Sequence, residues 1–173
     1  MTFEAAAQQY QRRIFSFAHY LLSNREEAED VTQEVLLRLW RHREGVDEER
    51  LGTWLLRVTR NACYDLLRRR KAAAAHGTEE SLDADEAPEL PSPDTGPETR
   101  AEASDFRRHL LRALQELREP YKSVVILREV QGLSQKEISQ ALHIPEVTVR
   151  VHLHRARLKL REQLREVYSH DPT

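Results

Sequence analysis

Arg150, Val151, His154 and Arg155 lie within VTVRVHLHRARLKLREQL, residues Val147 to Leu164, at a spacing that sends all four side chains out in neighbouring directions from one helix. Such a set suits the reading of base edges. A guanidinium fork fits the two acceptors of guanine, an imidazole exchanges a hydrogen bond, and a valine methyl can meet the methyl of thymine. Thr148 flanks the set, while Arg157, Lys159 and Arg161 lie off its line, where phosphates or solvent would meet them. Val149, Leu153, Ala156, Leu160 and Leu164 recur at four, three, four and four residues, the period of a helix side buried against something. The alternative is a solvated basic face, the usual fate of a charge run. What precedes the helix decides between them.

Other residues could support different chemistry. Glu27, Asp30 and Glu34 share one side of a helix, and carboxylates so spaced bind magnesium in helical nucleotide pyrophosphohydrolases. A second helix would have to supply matching carboxylates, and none does, so catalysis is not expected. His143, His152 and His154 suggest a metal only superficially, because residues two apart point to different sides of a helix. No cofactor or metal is expected. The single Cys63 has no partner for an internal disulfide and reads as a small buried apolar residue.

The elements that must position these groups are helical. Hydrophobic residues make up 39% of the 173-residue chain and aromatic ones 6%, enough for one modest domain or two small ones. Only five glycines occur, and no period-two apolar run of useful length is present, so the expected class is all-α. No charged-then-apolar leader and no long uncharged apolar stretch appear, and the expected setting is the reducing cytoplasm without membrane insertion.

The net charge of −2 conceals a segregation. Residues 72–105 hold ten acids against Arg100 alone, a balance of −9, whereas residues 1–71 carry +2 and residues 106–173 carry +5. The acidic stretch also contains Gly77, Pro88, Pro91, Pro93, Gly96 and Pro97 and almost no large apolar residue, the composition of a flexible linker. Two small basic helical domains, 1–71 and 106–173, joined by an acidic tether, invite a partner large enough to be touched at two places.

Reading forward from the tether, Leu110, Leu111, Leu114 and Leu117 give an apolar stripe. Pro120 suits the first turn of a second helix, and Val124, Ile126, Leu127 and Val130 carry that helix to Gly132. Ser134 and Glu137 form a capping box ahead of Ile138, Ala141 and Leu142. His143, Ile144 and Pro145 end that short helix, and Pro145 fits the first turn of the next. A short capped helix, a tight turn and a longer basic helix is the helix-turn-helix layout, whose second helix lies in the DNA major groove.

The segment LSQKEISQALHIPEVTVRVHLHRARLKL resembles the promoter-recognition domain of extracytoplasmic-function sigma factors, the small alternative initiation factors of bacterial RNA polymerase. AEDVTQEVLLRLWRHRE resembles that family's polymerase-binding helix, and TWLLRVTRNACYDLLRRRKA its helix that reads the minus-ten element. The resemblance implies that Thr148, Arg150, Val151, His154, Arg155 and Lys159 meet the minus-thirty-five element. It implies docking on the coiled-coil clamp of the polymerase's largest subunit through Asp30, Gln33, Glu34, Leu37, Arg38 and Arg41. It also implies that the acidic segment threads the polymerase's RNA path, that the loop of residues 42–50 helps form a pocket for a flipped base, and that an anti-sigma factor is a common partner. His143 stands where many members have glycine, as does Val147, and Val151 replaces a small hydroxyl residue, so the preferred minus-thirty-five sequence should differ from that of relatives.

The first domain supports the same assignment physically. Ser23 and Glu26 are spaced as a capping box before a helix that buries Ala28, Val31, Val35 and Leu39, leaving the six docking residues elsewhere around it. The next helix, about residues 51–71, buries Leu55, Val58, Ala62 and Leu66 and carries six cations against Asp65. Trp54, Arg57, Arg60, Asn61, Tyr64 and Arg68 on this helix can hold phosphates and offer rings or an amide to an unstacked base. Trp40 and Trp54 fit the core equally well, and the docking face could instead be a solvated surface of helical ion pairs. The expected function is an alternative sigma factor; a free-standing helix-turn-helix regulator explains the second half but leaves the first domain and the tether without a task.

Overall fold

The computed structural model describes residues 2–42, 45, 47–77 and 97–169, with side chains placed for all of these but 97–102. Every element among them is helical. In the first half, α1 (Phe3–Leu22), α2 (Arg25–His42) and α3 (Glu48–Ala75) pack around Ile14, Phe17, Leu21, Val35 and Leu55. Ala28, Val31, Val35 and Leu39 are buried on α2 as their spacing predicts. On α3 the expected Leu55 and Ala62 are buried and Val58 and Leu66 half-buried, but Leu51, Leu56, Thr59 and Cys63 are buried as well. That helix is covered on more than one side.

The entry to α2 differs from the expected capping box. Ser23 is in the left-handed region at φ 51° and finishes α1, its amide donating to the His19 carbonyl at 2.9 Å. The cap of α2 is Asn24, whose side chain accepts from the Glu27 amide at 3.0 Å. An amide oxygen one residue later satisfies a free first-turn donor, so Ser23 serves instead to close the preceding helix through its backbone amide. Asp47 caps α3, accepting from the Glu49 amide at 3.1 Å, and the helix runs four residues past Lys71 into the stretch expected to be linker.

In the second half, α4 spans Pro97–Glu116, again reaching into the expected linker, of which residues 78–96 lie outside the described residues. The helix expected from Pro120 to Gly132 is present as α5 (Tyr121–Val125) running directly into a π-helical turn at Ile126–Val130. Gly132 at φ 70° ends it. α6 (Gln135–Leu142) opens with both halves of the expected capping box: the Glu137 amide donates to the Ser134 hydroxyl at 3.2 Å, and the Ser134 amide to the Glu137 carboxylate at 2.7 Å. Those bonds hold the Glu137 carboxyl below its ordinary pKa. His143 turns the chain at φ 55°, a left-handed residue without a glycine's freedom, and the Ser139 hydroxyl braces the turn by donating to the Ile144 carbonyl at 2.6 Å. α7 (Glu146–Ser169) follows, with Val149, Leu153, Ala156 and Leu160 buried and Leu164 half-buried.

The two halves pack against each other. α6 lies against α3, and the π turn against α1. Lys122 reaches across, its Nζ donating to the Leu21 carbonyl at 3.3 Å and to the Gln115 side chain at 2.6 Å, while Gln115 donates to the Tyr20 carbonyl at 2.8 Å. Burial lowers the pKa of Lys122. No described helix is long and apolar enough to cross a membrane.

Candidate nucleic-acid interface

The helix-turn-helix presents its outer side to solvent. Arg150, Val151, His154 and Arg155 are all exposed, with Thr148 half-buried at the first turn of α7. Val147 and Val151 keep 56% and 41% of their surface, so two methyl-bearing side chains stand among the cations where a base-reading helix would meet the groove. Lys159 is exposed as well, but its ammonium lies 5.0 Å from the centre of the Tyr121 ring, and that ring meets His152 edge-on. Arg157 pairs with Glu129, its Nε at 2.8 Å, which ties the back of α7 to the π turn.

The six residues expected on α3 share one side of that helix, but they have different neighbours. Asn61 is exposed, and Arg68 is exposed and paired with Asp65. Trp54 is half-buried beside the His42 ring, and Trp40 is 45% exposed with its ring edge-on to Phe3. Arg57, Arg60 and Tyr64 face the second half of the chain. Arg57 meets the His143 ring in the helix-turn-helix turn. Arg60 donates to the Ser123 hydroxyl and to the Glu119 carboxylate, both at 3.1 Å, and its guanidinium covers the Tyr64 ring. The Tyr64 hydroxyl donates to the same carboxylate, and burial together with that negative charge raises its pKa.

On α2, Asp30, Gln33, Leu37 and Arg41 are exposed, and Glu34 and Arg38 pair with each other along the helix. Leu37 keeps 57% of its surface, an apolar residue ringed by carboxylate, amide and guanidinium groups, as suits a docking surface. Glu27 lies apart from Asp30 and Glu34 in function, because it accepts from Arg70 of α3 at 2.8 Å. Among the described residues no group of three His, Cys, Asp or Glu could hold a metal ion.

Periodicity did not single out Glu119, Lys122, Gln115, Gln131 or Arg13, the residues that join the halves. Arg13 donates to the Gln131 carbonyl at 3.0 Å, and Gln131 in turn donates to Ser16 at 3.3 Å. The available signal was Lys122, a cation within the apolar run that ends at Val130: charged residues are seldom fully buried unless partnered.

Comparison with known proteins agrees with this architecture. Residues 6–73 match the family described as Sigma-70 region 2, and residues 107–160 match Sigma-70, region 4. The chain is 31% identical over 163 residues to the ECF RNA polymerase sigma factor SigE of Mycolicibacterium smegmatis, covering 94% of this chain and 62% of that one. It is 29% identical to SigW of Bacillus subtilis over 91% of this chain and 86% of the relative. With SigL of Mycobacterium tuberculosis strain H37Rv it shares 31% identity over 89% of this chain and 84% of the relative. The fold matches the sigma factor RpoE of Bartonella quintana, solved in complex with the anti-sigma factor NepR, at a TM-score of 0.76 and 21% identity, covering 94% of this chain and 96% of that one. CnrH, solved with the cytosolic domain of CnrY, matches at a TM-score of 0.66 and 21% identity over 95% and 88% of the two chains. Two basic helical halves in the region 2 and region 4 order, together with these relatives, place the chain in the extracytoplasmic-function (ECF) family of RNA polymerase sigma factors.

Proposed function

We propose that this chain directs core RNA polymerase to promoters and helps to open them. In this division of labour, residues 1–71 bind the clamp of the polymerase's largest subunit through α2 and the minus-ten element through α3. Residues 72–105 form the tether, and residues 106–173 bind the minus-thirty-five element through α7. The observation that carries the proposal is the exposed set Arg150, Val151, His154 and Arg155 on a helix fixed by a capped α6 and a buried stripe, in a chain with a second cationic helix in α3. Opening promoter DNA costs stacking energy, which rings and an amide offered to an unstacked base can return. The protein performs no chemistry itself, acts in the cytoplasm, and has an anti-sigma protein as its natural antagonist.

The test is reconstituted transcription with core polymerase on a pool of genomic promoter fragments. The expected result is specific initiation from a subset of fragments that share a minus-thirty-five and a minus-ten sequence, together with weak binding of those fragments by the protein alone. Tight specific binding by the free protein with no effect on transcription would favour a helix-turn-helix regulator. Nucleotide hydrolysis by the purified protein would overturn the non-catalytic assignment.

A further inference from the structure

Of the six residues of α3 assigned above to the minus-ten element, Arg57, Arg60 and Tyr64 are occupied by the chain's own second half, while Asn61 and Arg68 stay exposed. Arg57, Arg60 and Tyr64 follow one another at three and four residues, so they lie on one helix side, and each is engaged by a residue beyond the tether. His143 meets Arg57 from the helix-turn-helix turn. Glu119 and Ser123 meet Arg60 from just before and from within α5 respectively. The Glu119 carboxylate gathers both the Arg60 guanidinium and the Tyr64 hydroxyl, offering the anionic oxygens that a DNA phosphate would offer the same groups. The recognition face of α7 is open in the same arrangement, with Arg150, Val151, His154 and Arg155 exposed. One DNA-reading surface is therefore partly covered while the other is free.

The rest of the contact between the halves combines apolar packing, since buried residues of both halves belong to one core, with hydrogen bonds. Lys122, Gln115, Arg13 and Gln131 join it by hydrogen bonds, and water can satisfy each of those groups when the halves part. A ligand that needs the covered face binds more weakly by the fraction of molecules in which that face is free.

We propose that the face of α3 bearing Arg57, Arg60 and Tyr64 has two mutually exclusive occupants, the Glu119 edge of the second half in the free chain and the single-stranded minus-ten DNA in the initiation complex. This rests on the assignment of α3 to the minus-ten element. Glu119 is the group that competes with phosphate, and Arg13 with Gln131 is a second fastening outside both DNA-reading faces.

Two full-length variants test the proposal. Glu119→Gln removes the charge that faces Arg60, and Arg13→Ala removes the remote fastening without touching either DNA surface. Glu119 also accepts from the Ser123 amide at the start of α5, so circular dichroism checks helicity, and Arg13→Ala carries the test should Glu119→Gln lose helix. Small-angle scattering of the free proteins is expected to give a larger radius of gyration for both variants than for the wild type. Fluorescence anisotropy with a single-stranded oligonucleotide carrying the minus-ten sequence found by transcription is expected to show binding tighter by roughly tenfold in the free variants. With core polymerase bound, Arg13→Ala and wild type should bind that strand alike. A wild-type radius already equal to that of separated halves, or variants that open with no gain in affinity, would overturn the proposal. If neither the open variants nor the polymerase complex prefers the minus-ten strand over a scrambled one, the assignment of α3 fails and takes the competition with it, whereas the scattering result still reports closure by itself.

Discussion

The ammonium of Lys159 sits 5.0 Å from the centre of the Tyr121 ring, so α7 is fastened to α5 by one of the cations proposed above to meet DNA. A cation over a ring is held in place, and an exposed contact of this kind is worth about 0.5–1 kcal/mol. Lys159 and Arg155 should therefore fail differently. Arg155→Ala should cost about 1–3 kcal/mol at the cognate minus-thirty-five element and flatten the preference between bases there. Lys159→Ala should weaken all sequences alike and reduce the salt dependence of binding. A library of minus-thirty-five sequences, measured with the polymerase-bound variants at two salt concentrations, checks both. An unchanged ranking of sequences in Arg155→Ala would show that this face is not in the major groove.

Val147 and Val151 lead to a prediction about thymine. Both side chains are exposed on the first turns of α7, where methyl groups of the DNA would reach them. Replacing thymine by deoxyuridine, one position at a time across the selected minus-thirty-five sequence, should weaken binding by about 0.8 kcal/mol at each contacted methyl. Val151→Ser should remove that sensitivity at one position. Equal sensitivity in Val151→Ser and wild type would place the valine away from the bases.

Much of the second half was legible in the sequence because its signals are local. Ser134 and Glu137 cap each other within one turn, and Gly132 and His143 mark the left-handed positions on either side of α6. The buried stripe of α7 follows its period directly, since one side packs and the other does not. Other features depended on longer-range contacts. Ser23 and Glu26 had the right spacing for a box, but Ser23 was needed to close α1, and the cap passed to Asn24. On α3 the burial of Leu51, Leu56, Thr59 and Cys63 blurs the single stripe that spacing predicts, because a second set of helices covers the other side. The faces of α2, α3 and α7 were legible as sets of residue types. That Glu119 would gather Arg60 and Tyr64 was not, because the pairing spans 59 and 55 positions and leaves no periodic trace.

The capping box of α6 gives a pH prediction whose sign is fixed. Glu137 has a folded-state pKa below its ordinary value, so its contribution to stability is present above that ordinary value and is lost as the pH falls through the folded one. Glu137→Gln keeps the shape of the box and removes the charge. Thermal melts should show the gap between wild type and Glu137→Gln narrowing as the pH is lowered from neutral into the acid range. A constant gap would mean that the carboxylate charge contributes nothing to the cap.

Cys63 offers a probe of the interior of the first half. The residue is wholly buried, and burial pushes its thiol up from the ordinary 9.0 to about 12. A raised pKa holds the proton in the folded state, so the stability it contributes is complete below 9.0 and is lost as the pH rises toward 12. At neutral pH the native protein should react with a thiol reagent orders of magnitude more slowly than the protein in denaturant, because neither thiolate nor access is available. Rapid labelling of the native protein would contradict the burial of this side chain.

The end of α1 is completed by residues that the chain reaches only after the tether. Lys122, 101 positions beyond Leu21, takes the Leu21 carbonyl, and Gln115, 95 positions beyond Tyr20, takes the Tyr20 carbonyl. The last carbonyls of any helix have no partner of their own, and here the second half supplies them. The two halves are thus matched parts rather than interchangeable modules. A chimera that joins this first half to a second half without that lysine and glutamine would leave the Tyr20 and Leu21 carbonyls without these partners. Portability would return only when those two residues travel with α1.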